Sequence, residues 1–200
     1  MLQKIFLTLC FVSLLACHRQ APQEMSQHHD HESMEASTVS DQSIYLLESA
    51  WKNQHNKTVN LQELKGKVLV LTMIYTSCEY ACPRIVADLK RIEDELGFFA
   101  KSKVEYVLVS IDPKRDKPEK LNSFSLKNEF GKNWTLLTGS ASNVRELAAV
   151  LGVQYKQTNN DFSHSNLISI INQKGEIAYQ QQGLGTNPSE TIRHIQALLH

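Results

Sequence analysis

A nearly unbroken apolar run from Val68 to Tyr75 constrains the fold of this chain more than any other feature. The run is too short for a long helix and is rich in β-forming residues, which predicts a strand buried on both faces. After two cysteines, apolar residues recur at intervals of three and four between residues 85 and 99, which predicts an amphipathic helix. The sequence therefore predicts a buried strand that leads through a short cysteine-bearing loop into a helix.

Further strands and helices are predicted to alternate after this unit. A second buried strand is expected at Val104–Ile111, followed by a helix that begins at Pro118. A short strand at residues 134–137 precedes a helix with Asn143 at its N-cap and Gly152 at its end. This order predicts an α/β sandwich with a central mixed β-sheet flanked by helices.

Both ends of this unit are predicted to carry a hairpin. Two short strands around the turn at residues 53–57 form an N-terminal hairpin extension, and residues 166–181 form a second hairpin. A final helix is expected after it, with Asn187 as its cap and Pro188 in its first turn. We expect one globular domain over residues 44–200.

The first 16 residues are typical of a secretory signal. Lys4 precedes an apolar run of about half the ~20 residues that a membrane-spanning helix needs. The following Leu14–Cys17 stretch resembles the lipobox of bacterial lipoproteins, which implies that Cys17 is lipidated and begins the mature chain. We expect an exported, membrane-anchored lipoprotein facing the periplasm, in preference to an uncleaved anchor.

Residues 17–43 are predicted to form a flexible tether, because apolar residues are few there and show no regular spacing. The segment contains potential metal ligands, namely His18, Met25, His28, His29, His31 and Met34. A metal-capturing tether and a plain polar linker both remain open. With 21 basic and 21 acidic side chains the chain has no net charge, which argues against a nucleic-acid partner.

Cys78 and Cys82 are separated by three residues, and Pro83 follows directly. Proline disfavours the α conformation in the residue before it, so the helix is predicted to begin at Pro83 with both cysteines in the preceding loop. Backbone N–H groups and the helix dipole favour negative charge there, and hence thiolates. The pair is suited to disulfide exchange, to a soft metal ion or, less readily, to an inert disulfide.

A third metal ligand is needed if two thiolates are to hold a soft ion well. His164 is the best candidate, because it directly precedes a predicted strand of the same sheet. Its alternative interpretation is a hydrogen-bonded loop histidine. Nothing in the sequence couples His55, His194 or His200 to the cysteines. Two thiolates and one imidazole suit Cu(I) or Cu(II), whereas zinc usually takes a fourth protein ligand.

Residues 44–200 resemble the SCO/SenC proteins. The resemblance is carried by LKGKVLVLTMIYTSC, by CEYACP, by VLVSIDPKRDKPEKL and by FSHSNLISIINQKGEI. It implies a thioredoxin-like fold and copper binding by Cys78, Cys82 and His164. The family's usual Pro and Asp within the cysteine motif are replaced by Glu79 and Tyr80.

The resemblance further implies a copper metallochaperone for the binuclear copper site of cytochrome c oxidase or a similar cuproenzyme. We expect a monomer that takes up one copper ion and depends on a thiol–disulfide reductant, because copper loading needs a reduced Cys78–Cys82 pair. The alternative is a thiol–disulfide oxidoreductase in which Cys78 and Cys82 form a redox pair and a disulfide bond. A peroxiredoxin-type peroxidase is disfavoured, because that family's cysteine pattern is lacking.

Overall fold

The computed structural model describes residues 42–158 and 161–200. The predicted signal, the lipidation at Cys17 and all but the end of the tether fall outside these ranges. Within these ranges the strands are β1 (Ala50–Asn53), β2 (Thr58–Asn60), β3 (Val68–Ile74), β4 (Val104–Ser110), β5 (Trp134–Thr138), β6 (Tyr155–Gln157), β7 (Phe162–His164), β8 (Leu167–Ile171) and β9 (Ile177–Gln182). The α-helices are α1 (Ala81–Lys101), α2 (Pro118–Lys127), α3 (Ala141–Leu151) and α4 (Ser189–Leu198).

Seven strands form a mixed sheet in the order β2-β1-β5-β4-β3-β8-β9. β3 and β4 are parallel, as are β4 and β5, whereas the outer pairs are antiparallel. Every residue of β3 and β4 is buried, because elements cover the sheet on both faces. The predicted α/β sandwich with a central mixed sheet is confirmed, and the predicted hairpin of β1 and β2 extends it beside β5.

The cysteine-bearing unit is β3, its following loop and α1. One face of α1 is buried, through Ile85, Leu89 and Ile92, and the helix packs against β4 and α4. Because β3 lies at the centre of the sheet and α1 is anchored by its apolar face, the loop between them is held at both ends. This positions the two cysteines at the end of the sheet where β3 finishes.

Several predicted helix starts are displaced. The helix predicted from Pro83 begins at Ala81, so that Cys82 lies in its first turn. Pro83 is tolerated there because the first turn leaves its N–H groups without intrahelical partners. Ser140, not Asn143, caps α3, because its hydroxyl accepts the Asn143 N–H at 3.1 Å. The last helix begins at Ser189 instead of directly after Asn187.

A second, two-stranded sheet of β6 and β7 was not predicted. Its strands are three residues long and pair Tyr155 with His164 at one end and Gln157 with Phe162 at the other. None of the six strand residues is fully buried, so the segment lacks the alternating apolar pattern that marks a strand. Among the described residues, no helix combines the length with the apolar character that crossing a bilayer requires.

Candidate metal and thiol centre

The two cysteines lie side by side at the start of α1. The Cys82 N–H donates to the Cys78 sulfur at 3.3 Å, and both thiols are free. Cys78 is half-buried in the loop after β3, whereas Cys82 is completely buried. One sulfur is therefore open to partners and the other is reached only through its neighbour or through movement of the loop.

The environment separates the two thiols in acidity. Burial raises the pKa of Cys78, but hydrogen bonds from the Cys82 N–H and the Tyr75 hydroxyl outweigh this effect, so the net pKa is lowered. Burial raises the pKa of Cys82 far above its ordinary value, and the adjacent Cys78 charge adds to this. Cys78 is therefore the better nucleophile, and Cys82 remains a thiol at neutral pH in this state.

Tyr75 links the cysteines to the small sheet. It directly follows β3 and is almost fully buried. Its hydroxyl donates a short hydrogen bond to the Asp161 carboxylate, and its ring lies edge-on to the His164 ring with centroids 5.9 Å apart. Burial and the Asp161 carboxylate raise the pKa of Tyr75 well above its usual range, so its phenol stays protonated as a donor.

His164 ends β7 and offers one ring nitrogen to the protein and one to a ligand. Its Nδ1 lies 3.1 Å from the Ser165 carbonyl oxygen, and its Nε2 is buried without a hydrogen-bond partner among the described residues. Burial lowers the pKa of His164, which favours the neutral ring. A backbone carbonyl on Nδ1 leaves the lone pair on Nε2, the arrangement that metal-ligating histidines commonly have.

The three predicted ligands are only partly assembled. The cysteines adjoin each other, and His164 contacts Tyr75, which is hydrogen-bonded to Cys78. Within residues 42–158 and 161–200, no three His, Cys, Asp or Glu side chains are grouped closely enough to hold a metal ion. His194 is elsewhere, stacked on Tyr179 with ring centroids 4.2 Å apart.

A buried carboxylate fixes the loop that carries Cys78. Asp116 is fully buried and accepts from the Thr76 N–H at 2.9 Å, the Thr76 hydroxyl at 2.5 Å and the Ser110 hydroxyl at 2.7 Å. Lys120 lies 3.8 Å from the same carboxylate. Asp116 therefore ties the loop after β3 to the end of β4. Asp112, at the start of the next loop, pairs with Arg115.

Tyr75 and Asp161 are site residues that sequence reasoning missed. Tyr75 was counted as the last apolar residue of a strand, and Asp161 lies in a polar stretch without a motif. The only available signal was position, since Tyr75 lies three residues before Cys78 and Asp161 three before His164. A buried tyrosine near a thiol usually finds a hydrogen-bond partner for its hydroxyl, and that partner can belong to the same site.

The fold and the site define a thioredoxin-like protein with a dithiol at a strand–helix junction. The SCO1/SenC family model matches residues 46–200. The chain belongs to the SCO1/SenC family, which confirms the resemblance seen in its sequence.

Solved structures agree with this assignment. The SCO1/SenC family lipoprotein from Bacillus anthracis is 29% identical, with a TM-score of 0.68 over 76% of this chain and 92% of that one. BsSco, described as a member of the Sco family of cytochrome c oxidase assembly proteins with a disulfide switch, is 27% identical, with a TM-score of 0.65 over 74% and 90%. Copper-bound ScoI of Bradyrhizobium japonicum, 22% identical, shares the fold with a TM-score of 0.64 over 75% and 96%.

Proposed function

We propose that this chain is a copper metallochaperone that binds one copper ion through Cys78, Cys82 and His164. The observation that carries the proposal is a chain of contacts: Cys78 adjoins Cys82 and is hydrogen-bonded to Tyr75, and the Tyr75 ring contacts His164. The Nε2 of His164 is buried and has no partner in the described structure. Membership of the SCO1/SenC family supports it. The acceptor would be the binuclear copper site of cytochrome c oxidase or a similar cuproenzyme.

The donor set suits copper in chemical terms. Thiolates are soft ligands that favour Cu(I), and imidazole together with thiolate also binds Cu(II) strongly. The high pKa of Cys82 means that the ion must displace its proton, so binding releases a proton from this thiol. The Ser165 carbonyl would keep the His164 ring in the tautomer that binds through Nε2.

Copper binding would draw the small sheet toward the cysteines. His164 and the sulfurs are not grouped closely enough to hold a metal ion in the described structure, and the His164 ring packs against Tyr75. A site completed by a separate, movable element can also open, so an acceptor thiolate can bind before the donor ligands let go. This suits transfer better than permanent storage.

A copper titration tests the proposal. The reduced full-length protein is titrated with Cu(I) against a competing chelator, and we expect one tightly bound ion. Replacing both Cys78→Ser and Cys82→Ser should weaken that binding by about 1,000-fold or more, ~4 kcal/mol. Cys10 and Cys17 are present in both proteins, so the difference isolates the pair. Unchanged affinity in the double variant would refute the assignment.

We further propose that the chain is exported and held at a membrane through lipid on Cys17, with residues 17–43 as the tether and 44–200 as the domain. The lipobox-like sequence and the similarity to a lipoprotein support this. Tethering to the same membrane as an oxidase raises the effective concentration of the donor. Copper uptake at limiting copper by a chain starting at Ser40 tests the tether: unchanged uptake would make it a plain linker.

A second function, thiol–disulfide exchange, is favoured by the contrast between the two thiols. Cys78 is accessible with a lowered pKa, whereas Cys82 is buried with a raised one. The Cys78 thiolate would attack a partner disulfide and release one partner thiolate. Cys82, losing its proton, would then attack the Cys78 sulfur and release the second. The partner gains two electrons and this chain holds the Cys78–Cys82 disulfide, which a thiol reductant must reopen.

The reduction potential of the pair separates the two functions. The pair is equilibrated with glutathione buffers, and the reduced protein is then mixed with the oxidised copper-free acceptor. Reduction of the acceptor's cysteines would support the redox function. A protein that binds copper but leaves the acceptor oxidised would restrict the chain to copper delivery.

A further inference from the structure

A cavity of about 320 Å³ opens beside Cys78. Its lining comes from the loop after β3, the start of α1 and the helix α2. Of the three proposed copper ligands, all within the described ranges, only Cys78 lines it. A molecule seated in this cavity therefore lies against Cys78, whereas His164 and Cys82 are not part of the lining.

The charge of the cavity is positive. Lys120 and Lys127 line it, and no carboxylate does so among the described residues. The chain as a whole is neutral, but residues 113–127 contain five cationic and two acidic side chains. One of these acids, Asp116, is fully buried and hydrogen-bonded to Thr76 and Ser110, so its carboxylate is not available to a molecule in the cavity.

Lys120 and Lys127 differ in how firmly they are held. Lys120 donates to the Ser77 hydroxyl at 2.7 Å and lies 3.8 Å from Asp116, which partly offsets its charge. Lys127 is exposed at the end of α2. A change at Lys127 therefore alters the charge of the cavity without disturbing the loop that carries Cys78.

Apolar groups complete the surface. Phe124 and Pro83 line the cavity, and Tyr80, in the loop between the two cysteines, is 85% exposed. Large exposed aromatic side chains are enriched at protein interfaces, where they act as anchors. A cavity lined by a cysteine, two lysines and apolar side chains is suited to a peptide more than to a small ion.

We propose that this cavity is the docking surface for the copper acceptor, and that the acceptor presents an acidic, cysteine-bearing segment to it. The inference rests on the proposed function, because it identifies the kind of partner that the copper site serves. On docking, the acceptor thiolate forms a bond to copper as the bond to Cys78 breaks. The proton lost by the acceptor thiol passes to Cys78, and no electron is transferred.

The charge preference can be measured without copper. Three short peptides share one central cysteine, flanked by acidic, neutral or basic residues, and each is activated as a mixed disulfide with thionitrobenzoate. In the full-length Cys82→Ser variant, the Cys78 thiolate attacks the peptide sulfur and thionitrobenzoate leaves, so the peptide stays attached. Mass spectrometry of proteolytic fragments assigns the product to Cys78.

We expect the acidic peptide to react with Cys78 about tenfold faster than the basic peptide at low salt, with the difference shrinking as salt is added. Lys127→Glu should remove or invert this preference, and Lys120→Gln combined with Lys127→Gln should remove it. The control is Lys174→Glu, in the turn between β8 and β9. Because β8 runs antiparallel to β3, that turn lies at the opposite end of the sheet from Cys78.

Equal rates for the three peptides, or an unchanged preference in Lys127→Glu, would overturn the docking surface. These results are independent of the copper titration. If the protein binds copper but shows no charge preference, the docking surface is refuted and the proposed copper function stands. If it shows the charge preference but does not bind copper, the proposed copper function is refuted.

Discussion

The candidate site has a sulfur half, Cys78 and Cys82, and an imidazole half, His164, and the two lie on elements that differ in burial. The cysteines lie between β3, every residue of which is buried, and α1, which has a continuous apolar face. His164 lies on a two-stranded sheet whose six strand residues are exposed or half-buried. Segments with little buried apolar surface open at a lower free-energy cost than core elements. The comparison teaches that the sulfur half is the fixed part of the site and the imidazole half the adjustable part.

The largest effect is expected from removing the buried carboxylate of the sulfur half. Asp116→Ala leaves the buried Ser110 hydroxyl and the half-buried Thr76 donors without their acceptor and should lower the free energy of unfolding by about 3 kcal/mol. Denaturant unfolding measures this. The matched control is Asp161→Ala in the imidazole half, where the exposed carboxylate should matter little to the midpoint. Equal losses in both variants would contradict the comparison.

The imidazole half should matter for copper rather than for folding. His164→Ala should weaken Cu(I) binding by roughly 30-fold, since the two thiolates remain, and should leave the unfolding midpoint nearly unchanged. His194→Ala, on α4, serves as the control and should leave the copper affinity as it was. If His164→Ala also left it unchanged, His164 would not be a ligand.

Within the sulfur half, the two thiols should differ in reactivity. At pH 7, iodoacetamide should modify Cys78 on the order of tenfold faster than Cys82, because Cys78 is accessible and its pKa is lowered. Since only the thiolate reacts, the rate falls as pH drops through the pKa. For Cys78 this fall should come at a lower pH than for an ordinary exposed thiol, because the pKa of Cys78 is lowered. Site-resolved mass spectrometry follows both cysteines, with free cysteine as the reference; a midpoint for Cys78 at or above that of free cysteine would contradict the assignment.

The smallest effect is expected from Tyr75, which contacts residues of both halves. Tyr75→Phe removes the hydroxyl, which donates to Asp161 and contributes to the lowered pKa of Cys78, but keeps the aromatic ring beside His164. Alkylation of Cys78 at pH 7 should slow by about threefold, because the pKa of Cys78 rises without this hydroxyl and less thiolate is present. Phe162→Leu, which changes a neighbouring ring but no donor, is the control. An unaltered rate in Tyr75→Phe would leave the hydroxyl without influence on the sulfur.

The same division decided how far the sequence was informative. β3, β4 and α1 were predictable because burial imposes an apolar run or a three-and-four period, and the cysteine motif sits between them. β6 and β7 were not predictable, because their pairing depends on backbone hydrogen bonds and a few aromatic contacts rather than on an apolar pattern. His164 was thus identified as a candidate, while the strand that carries it was missed.

Helix starts failed for a related reason. The rule that proline excludes an α conformation in the preceding residue placed the start of α1 at Pro83, yet the helix begins at Ala81. The preference is statistical, and the buried position of Cys82 against the core overrides it. Side-chain links such as the bond from Tyr75 to Asp161 join residues 86 positions apart and leave no local trace in the sequence.

The complete burial of Cys82 leaves the site accessible from one side only, through Cys78. A reagent from solvent, whether an oxidant, a metal ion or a thiol, therefore contacts Cys78 before it reaches Cys82. Unequal solvent access by itself thus distinguishes two sulfurs that are only four residues apart in the chain.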